Sequence, residues 1–348
     1  MTWRATGLDE VEEEHARGVA PLQESEDVVE EQPPVQHEEE ETAAPAGVSV
    51  EAAADTAQPT KEERDAHALT HLPYKSWCRV CIAARGRDMP HYRLLHDQED
   101  GEVPLVEIDY GYLSSEGERP VPLLAGATSV TGHGFGVVCG AKGPGDEAAV
   151  RAALRFLQEA GIHGTCRLRS DSEPAIIAMA QTIARRREPA KTVVETTPVG
   201  SSSSLGLAES WIGLLVGQVR CLKAIVEEKW HIKVRADTPV LHWAVLHSAW
   251  LLNRFQPKAR TGVTPYRTIQ QHDYRGCIFG FADPVMVRRS EALDQPKLAD
   301  RWLSGVWLGK TTMSDAHVVG CPEQLVVSRT ARGVPWDQKV NELMAQMQ

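Results

Sequence analysis

The sequence predicts a mixed α/β protein built on a five-stranded sheet with flanking helices, and three observations predict it. Three strand-like segments follow one another between 103 and 142, broken only by short turn-like stretches. From 146 to 255 amphipathic helical segments alternate with two further strands, the order of a mixed sheet covered by helices. Beyond 280 the chain turns to short β-like pieces alone, spaced as in a small second barrel of the SH3 kind.

The first stretch belongs to none of these. Residues 1–66 hold 19 Asp/Glu against 4 Lys/Arg, a balance of −15; the chain totals of 48 and 37 leave 29 acids and 33 bases, or +4, for 67–348. The overall charge of −11 is therefore a property of the leader, and the body is mildly basic. Rich in Glu, Pro and Ala, residues 1–60 cannot bury enough apolar surface to offset chain entropy and are expected to be a disordered acidic tail. The tail either competes with DNA for the basic body or is a solvated linker. No secretory signal or membrane-spanning run is visible, and seven cysteines, two of them closely spaced, suit a reducing intracellular compartment with one metal site.

Each element follows from local chemistry. KEERDAHALTHL has helical composition and stops at Pro73, and PYKSWCRVCIAARGR then forms a short knuckle with a basic exit, so that 61–92 reads as one zinc-binding unit. VPLVEIDYGYL, PVPLLAGATSV and HGFGVVCGAK are the three successive strands. DEAAVRAALRFLQEAG is a helix opened by acids and closed by Gly161, and a strand to Ser170 follows. After it come the helix EPAIIAMAQTIARRR, the β-branched strand KTVVETTP and the glycine- and serine-rich loop VGSSSSLG. Helical stretches at 207–230 and 240–255 complete a core spanning 103–275, and DPVMVRR, SGVWLGK, AHVVG and QLVVSRTARGVPW make up the small domain at 280–335. Trp243 and Trp250, seven apart on one helix face, suit a core or a subunit interface, and TGHGFG reads as a turn because it opens no helix.

Two groups of residues can hold metal. Asp109 is read at the end of the first strand, Asp171 at the end of the fourth and Glu209 in the first turn of the helix after the serine loop, with 61 and 37 residues between them. If the first and fourth strands are neighbours, two strand-tip carboxylates converge on one edge and the helix adds a third, a set of hard oxygen donors suited to Mg²⁺ or Mn²⁺. Taken singly, Asp109 could end a strand, Asp171 could cap the helix that starts at Pro174, and Glu209 could complement a helix dipole. The second group is His67 and His71, on one helix face, with the C-x2-C pair Cys78 and Cys81, which together make a closed tetrahedral Zn²⁺ site; His91 and His96 could replace either histidine. Arg79, Arg85 and Arg87 beside the knuckle are placed to hold phosphates.

EIDYGYL, LRSDSEPAI and SSSLGLAES, in this order and spacing, resemble the D,D,E signature of retroviral and LTR-retrotransposon integrases, the copia-like branch above all, and HWAVLHSAWLLNRFQPKARTGVTPYRTI is similar to a later stretch of that family. The resemblance covers about residues 67–330 and implies an RNase H-like core, an HHCC zinc domain before it, and DNA end processing and strand transfer by a homo-oligomer acting in the nucleus as part of a Pol polyprotein. It implies Asp109, Asp171 and Glu209 as the Mg²⁺ ligands. Where retroviral relatives place lysines four and seven residues after the glutamate, this chain has Gly213 and Val216, so its grip on DNA is assigned to Arg220 and Lys223. An active integrase and a silent integrase-derived binding protein are the readings carried forward; the flanking knuckle and barrel disfavour an RNase H-like nuclease without integration.

Overall fold

Five strands pair into the first sheet. The structure is a computed structural model that describes residues 59–85, 103–115, 117–197, 205–259, 261–288, 300–322 and 324–334; the acidic leader to residue 58, Arg87, His91, His96 and most of the serine loop lie outside them. The strands are β1 (Leu105–Leu113), β2 (Val121–Thr128), β3 (Gly134–Val138), β4 (Cys166–Ser170) and β5 (Thr192–Thr196), in the order β3-β2-β1-β4-β5. The two hairpin pairs are antiparallel, whereas β1 with β4 and β4 with β5 are parallel. Helical crossovers enforce that switch, since parallel neighbours cannot be joined by a tight turn. These crossovers are α3 (Glu147–Glu159) and α4 (Pro174–Arg186).

Both faces of the sheet are covered. Val106, Ile108, Tyr110 and Leu168 turn to one side, where they bury Ala153, Phe156, Ile176 and Met179 of α3 and α4. On the other side lie α5 (Gly206–Trp230) and α6 (Pro239–Phe255), packed on β1, β2 and β3. Helix α5 buries Trp211, Leu215, Val219, Leu222, Val226 and Trp230, a stripe at three- and four-residue spacing. It approaches β3 closely because the strand has glycines where it crosses: a Cβ on Gly134 would stand 2.4 Å from the Trp211 ring, and one on Gly136 2.2 Å from Leu215. The segment expected as a simple turn thus also supplies a bare strand surface, and the Trp211 indole donates to the Phe135 carbonyl at 2.7 Å. Trp243 and Trp250 are both buried in the core on this side.

The N-terminal unit consists of α1 (Lys61–Thr70) and α2 (Arg79–Arg85). Thr60 and Glu63 form a reciprocal capping box at the start of α1, and His71 ends the helix in the left-handed conformation (φ 52°). Beyond the core, α7 (Pro265–Gln270) leads to β6 (Pro284–Arg288), β7 (Trp302–Lys310), β8 (His317–Gly320), β9 (Leu325–Ser328) and β10 (Ala331–Gly333). These form a second five-stranded antiparallel sheet in the order β10-β6-β7-β8-β9. Its hydrogen-bonded order does not return to its first strand, so the barrel expectation is met as far as a small antiparallel sheet. Val306, Leu308, Val318 and Val327 share one apolar cluster with α5 and α6, so this sheet is fused to the core rather than set apart from it. No helix among the described residues is long and apolar enough to cross a membrane.

Candidate functional site

The parallel pairing of β1 with β4 sets the geometry of the acidic site. Glu107 stands opposite Arg169, and Arg169 opposite Glu195. Alternate residues of a strand face the same way, so two positions further along Asp109, Asp171 and Thr197 come abreast on that same face. Asp109 is therefore mid-strand and not at a strand end, and the pairing rather than a terminus brings it beside Asp171. The alternative role for Asp171 also lapses: the N-cap of α4 is Glu173, which makes no side-chain capping bond, and Pro174 opens the helix. The Asp171 carboxylate instead accepts from the Ser172 N–H at 2.6 Å and from the Thr197 hydroxyl at 3.5 Å.

Glu209 reaches the same edge from α5, in whose first turn it lies exposed. Burial raises the Asp109 carboxyl above the ordinary carboxylate range, and the charges of Asp171 and Glu209 push the same way, while the Tyr110 N–H at 2.7 Å and the Lys142 ammonium oppose them. Two acids of the predicted triad thus act on the third.

Two supporting residues, Glu107 and Lys142, were not singled out in the sequence. Glu107, buried to 4% exposure, accepts from the Leu207 and Ala208 N–H groups at 3.0 and 3.2 Å, so a strand carboxylate holds the first turn of α5, the turn that carries Glu209. Burial raises its carboxyl, and those two N–H groups and Arg169 counter the rise. Lys142 lies over the Tyr110 and Tyr112 rings and is held by Glu173 at 2.8 Å, which sets one cation beside the acids. A charged residue inside an apolar run, as in LVEIDYGYL, was the available signal for Glu107; nothing local marks Lys142.

The knuckle is more tightly drawn. The His67 Nε2 lies 3.2 Å from the Cys81 Sγ, and the His71 Nδ1 lies 3.4 Å from the Cys78 Sγ and 3.8 Å from the Cys81 Sγ. Tetrahedral zinc, with bonds of about 2.05 Å to nitrogen and about 2.3 Å to sulfur, sets neighbouring N and S ligands about 3.5 Å apart, so these four side chains fit that ion. Their ligand atoms all lie within 4.8 Å of one another, the one such cluster of His, Cys, Asp and Glu among the described residues. Cys81 is held far below the usual thiol range, first by the neighbouring thiol of Cys221 on α5 and then by His67, His71 and Arg85, which favours the thiolate a metal requires.

The basic residues divide. The guanidinium of Arg85 turns inward, donating to the His71 carbonyl and, at 3.3 Å, to the Cys81 Sγ, while its stem crosses α5 where Gly217 would place a Cβ 2.7 Å away. Arg85 is thus occupied in joining the knuckle to α5, which corrects its expected place at a phosphate. Lys223 pairs with Glu227 at 2.8 Å, whereas Arg79 and Arg220 are exposed.

No family model matches the chain, and no curated protein does. Among solved structures, a cryo-EM structure of the simian T-cell lymphotropic virus intasome in complex with PP2A regulatory subunit B56 gamma is similar over 74% of this chain and 88% of that one, at 14% identity and a TM-score of 0.39. The HTLV-2 integrase catalytic core domain in complex with magnesium, in its trimeric form, is similar over 47% and 93% at 14% identity and a TM-score of 0.34. The catalytic core domain of BIV integrase is similar over 48% and 93% at 14% identity and a TM-score of 0.32.

Proposed function

We propose that this chain is a copia-like retrotransposon integrase that processes DNA 3′ ends and transfers them into a target strand. The observation that supports this most is the register of β1 and β4, which sets Asp109 and Asp171 side by side under the helix turn that carries Glu209. These three carboxylates would hold two Mg²⁺ or Mn²⁺ ions, which when bound activate a water or 3′-hydroxyl and stabilise the leaving oxygen of a phosphodiester. The protein's own part is positioning: Glu107 fixes the start of α5, Thr197 orients Asp171, and Lys142 offsets some of the acidic charge. Zn²⁺ on His67, His71, Cys78 and Cys81 is structural, since four protein ligands leave no position for water. Arg79, Arg220 and Lys223 are the DNA contacts proposed from the described residues; Arg87 joins them from the sequence alone. Action as a homo-oligomer in the nucleus, after release from a Pol polyprotein, belongs to the same reading.

A second reading has its own support: Glu209 is exposed, and Gly213, one turn further, has nothing packed against it to compensate its helix cost of about 1 kcal/mol. An integrase-derived protein that binds nucleic acid or protein without transferring strands would keep the knuckle and the sheet and let this turn drift. Mn²⁺-dependent cleavage and strand transfer on short duplex DNA separates the two readings. The full chain is expected to give products that Asp171→Asn abolishes. No products from either protein, with zinc bound and the fold intact, would favour the silent form.

A further inference from the structure

We propose that the cleft between the α3–β4 turn, the end of α6, α7 and the β7–β8 turn binds the carboxylate or phosphate group of a small anionic ligand on Arg254. The cleft has a volume of about 810 Å³, within the roughly 300–1,000 Å³ of ligand pockets, and is lined by His163, Arg254, Tyr266, His272, Tyr274 and Arg275 among others. His163 precedes the first residue of β4, whereas Asp171 follows the last, so the cleft stands a strand's length from the acidic edge. Arg254 is only 8% exposed and forms no ion pair among the described residues. A charge buried without a partner is strongly destabilising, so one on the wall of an open cleft points to a counter-ion supplied from outside.

The surroundings of the guanidinium define what is missing. The ring centroids of Trp250, Tyr266 and Tyr274 lie 4.2, 5.2 and 5.6 Å from it. Rings attract a cation over their faces but accept little from the N–H groups along its edge. On that edge Nη1 has only the Trp250 carbonyl, at 3.5 Å, and Nε is enclosed without a partner; Nη2 is neither bonded nor enclosed, which leaves it open to the cleft. Burial pulls the guanidinium below its ordinary range, against the charges of Glu159 and Asp315. Those two acids, which also line the cleft, are engaged elsewhere: Glu159 lies 3.6 Å from His133, and Asp315 accepts from Lys310 at 2.6 Å and from the Tyr274 hydroxyl at 2.7 Å. Arg275, exposed at the rim and also without an ion pair, adds a second cation. A guanidinium fork matches two oxygens of a carboxylate or a phosphate, so an oxyanion is the partner that both arginines lack.

The test is titration of the full chain with inorganic phosphate and with acetate, each against chloride at the same ionic strength. It is read by thermal unfolding and by tryptophan fluorescence, to which Trp250 beneath the guanidinium contributes. At least one oxyanion should give a saturable change that chloride does not, and the tighter of the two names the group the site takes. Arg254→Met keeps much of the stem, removes the charge and should abolish that change. Arg275→Gln, at the exposed rim, should weaken binding about tenfold, the scale of one charge-assisted hydrogen bond, and keeps the test decisive if the buried variant fails to fold. No saturable response beyond that of chloride would overturn the proposal, as would one that survives Arg254→Met or that Arg275→Gln leaves unchanged.

Discussion

The knuckle and the acidic edge both rest on α5, yet only the knuckle has its ligand atoms gathered within bonding distance of a common point. The difference is electrostatic. Thiols and imidazoles can donate and accept among themselves, so Cys81, His67 and His71 converge through mutual hydrogen bonds before any ion arrives. Three carboxylates at one edge repel: burial first, and after it the charges of Asp171 and Glu209, raise the carboxyl of Asp109. One site is assembled by the fold, and in the other the three acids stay apart.

The largest expected effect is on the assembled site. Cys81→Ala should lower the zinc content from about one per chain to none and depress the melting temperature by about 10 °C or more, since binding energy at such a site is folding energy. A purified chain without zinc, or one whose stability ignores a strong chelator, would remove the contrast. Next is the residue beneath the open site: Glu107→Ala should cost about 1–3 kcal/mol in denaturant unfolding, because two N–H groups at the start of α5 lose their acceptor. Glu107→Gln, which keeps an acceptor oxygen, should recover part of that loss; an equal loss in both variants would assign the effect to the Arg169 ion pair.

Neutralising the buried charge of Asp109, which Asp171 and Glu209 also oppose, should act in the opposite direction. Asp109→Asn is expected to raise the melting temperature by about 1–3 °C at pH 7 in metal-free buffer while abolishing metal-dependent products. The sign follows from a raised folded carboxyl: the protonated form is favoured, so the penalty is absent below the ordinary carboxylate range and develops as pH rises through the raised value. The gain should therefore shrink toward pH 4. A variant less stable than the parent at pH 7 would mean that Asp109 is held by partners rather than strained by neighbours. The smallest pair sits on α5 itself: Gly213→Ala, into open space, should stabilise by about 1 kcal/mol, whereas Gly217→Ala should destabilise, because the Arg85 stem stands where the methyl would go. Equal responses would show that the knuckle does not press on the helix.

Legibility in the sequence followed range of contact. The strands, the two crossover helices and the long helix at 206–230 were readable because each depends on its own periodicity. Asp109 and Asp171 were readable as a pair once β1 and β4 were taken as neighbours, although Asp109 proved to be mid-strand and Asp171 no helix cap. Glu107 was not, because its partners lie a hundred residues away, and nothing local sets Cys221 apart from the other cysteines. Arg85 was misread for the same reason: basic composition suggested phosphate, while the space that admits its stem is made by Gly217 in another element. The barrel was an inference from spacing, and spacing says nothing of whether an outer strand finds a second partner.

Helix α5 has a further consequence, one of phase. Over its 25 residues it carries Glu209 at one end, Gly217 and Cys221 under the knuckle at its middle, and Lys229, paired with Asp283, near the other end. Each added residue in an α-helix turns everything beyond it by about 100°. A one-residue insertion between Glu209 and Gly217 would thus leave each site's own residues untouched and still point one of them away from its partners, so the helix tolerates substitution along much of its surface and a change of length almost nowhere.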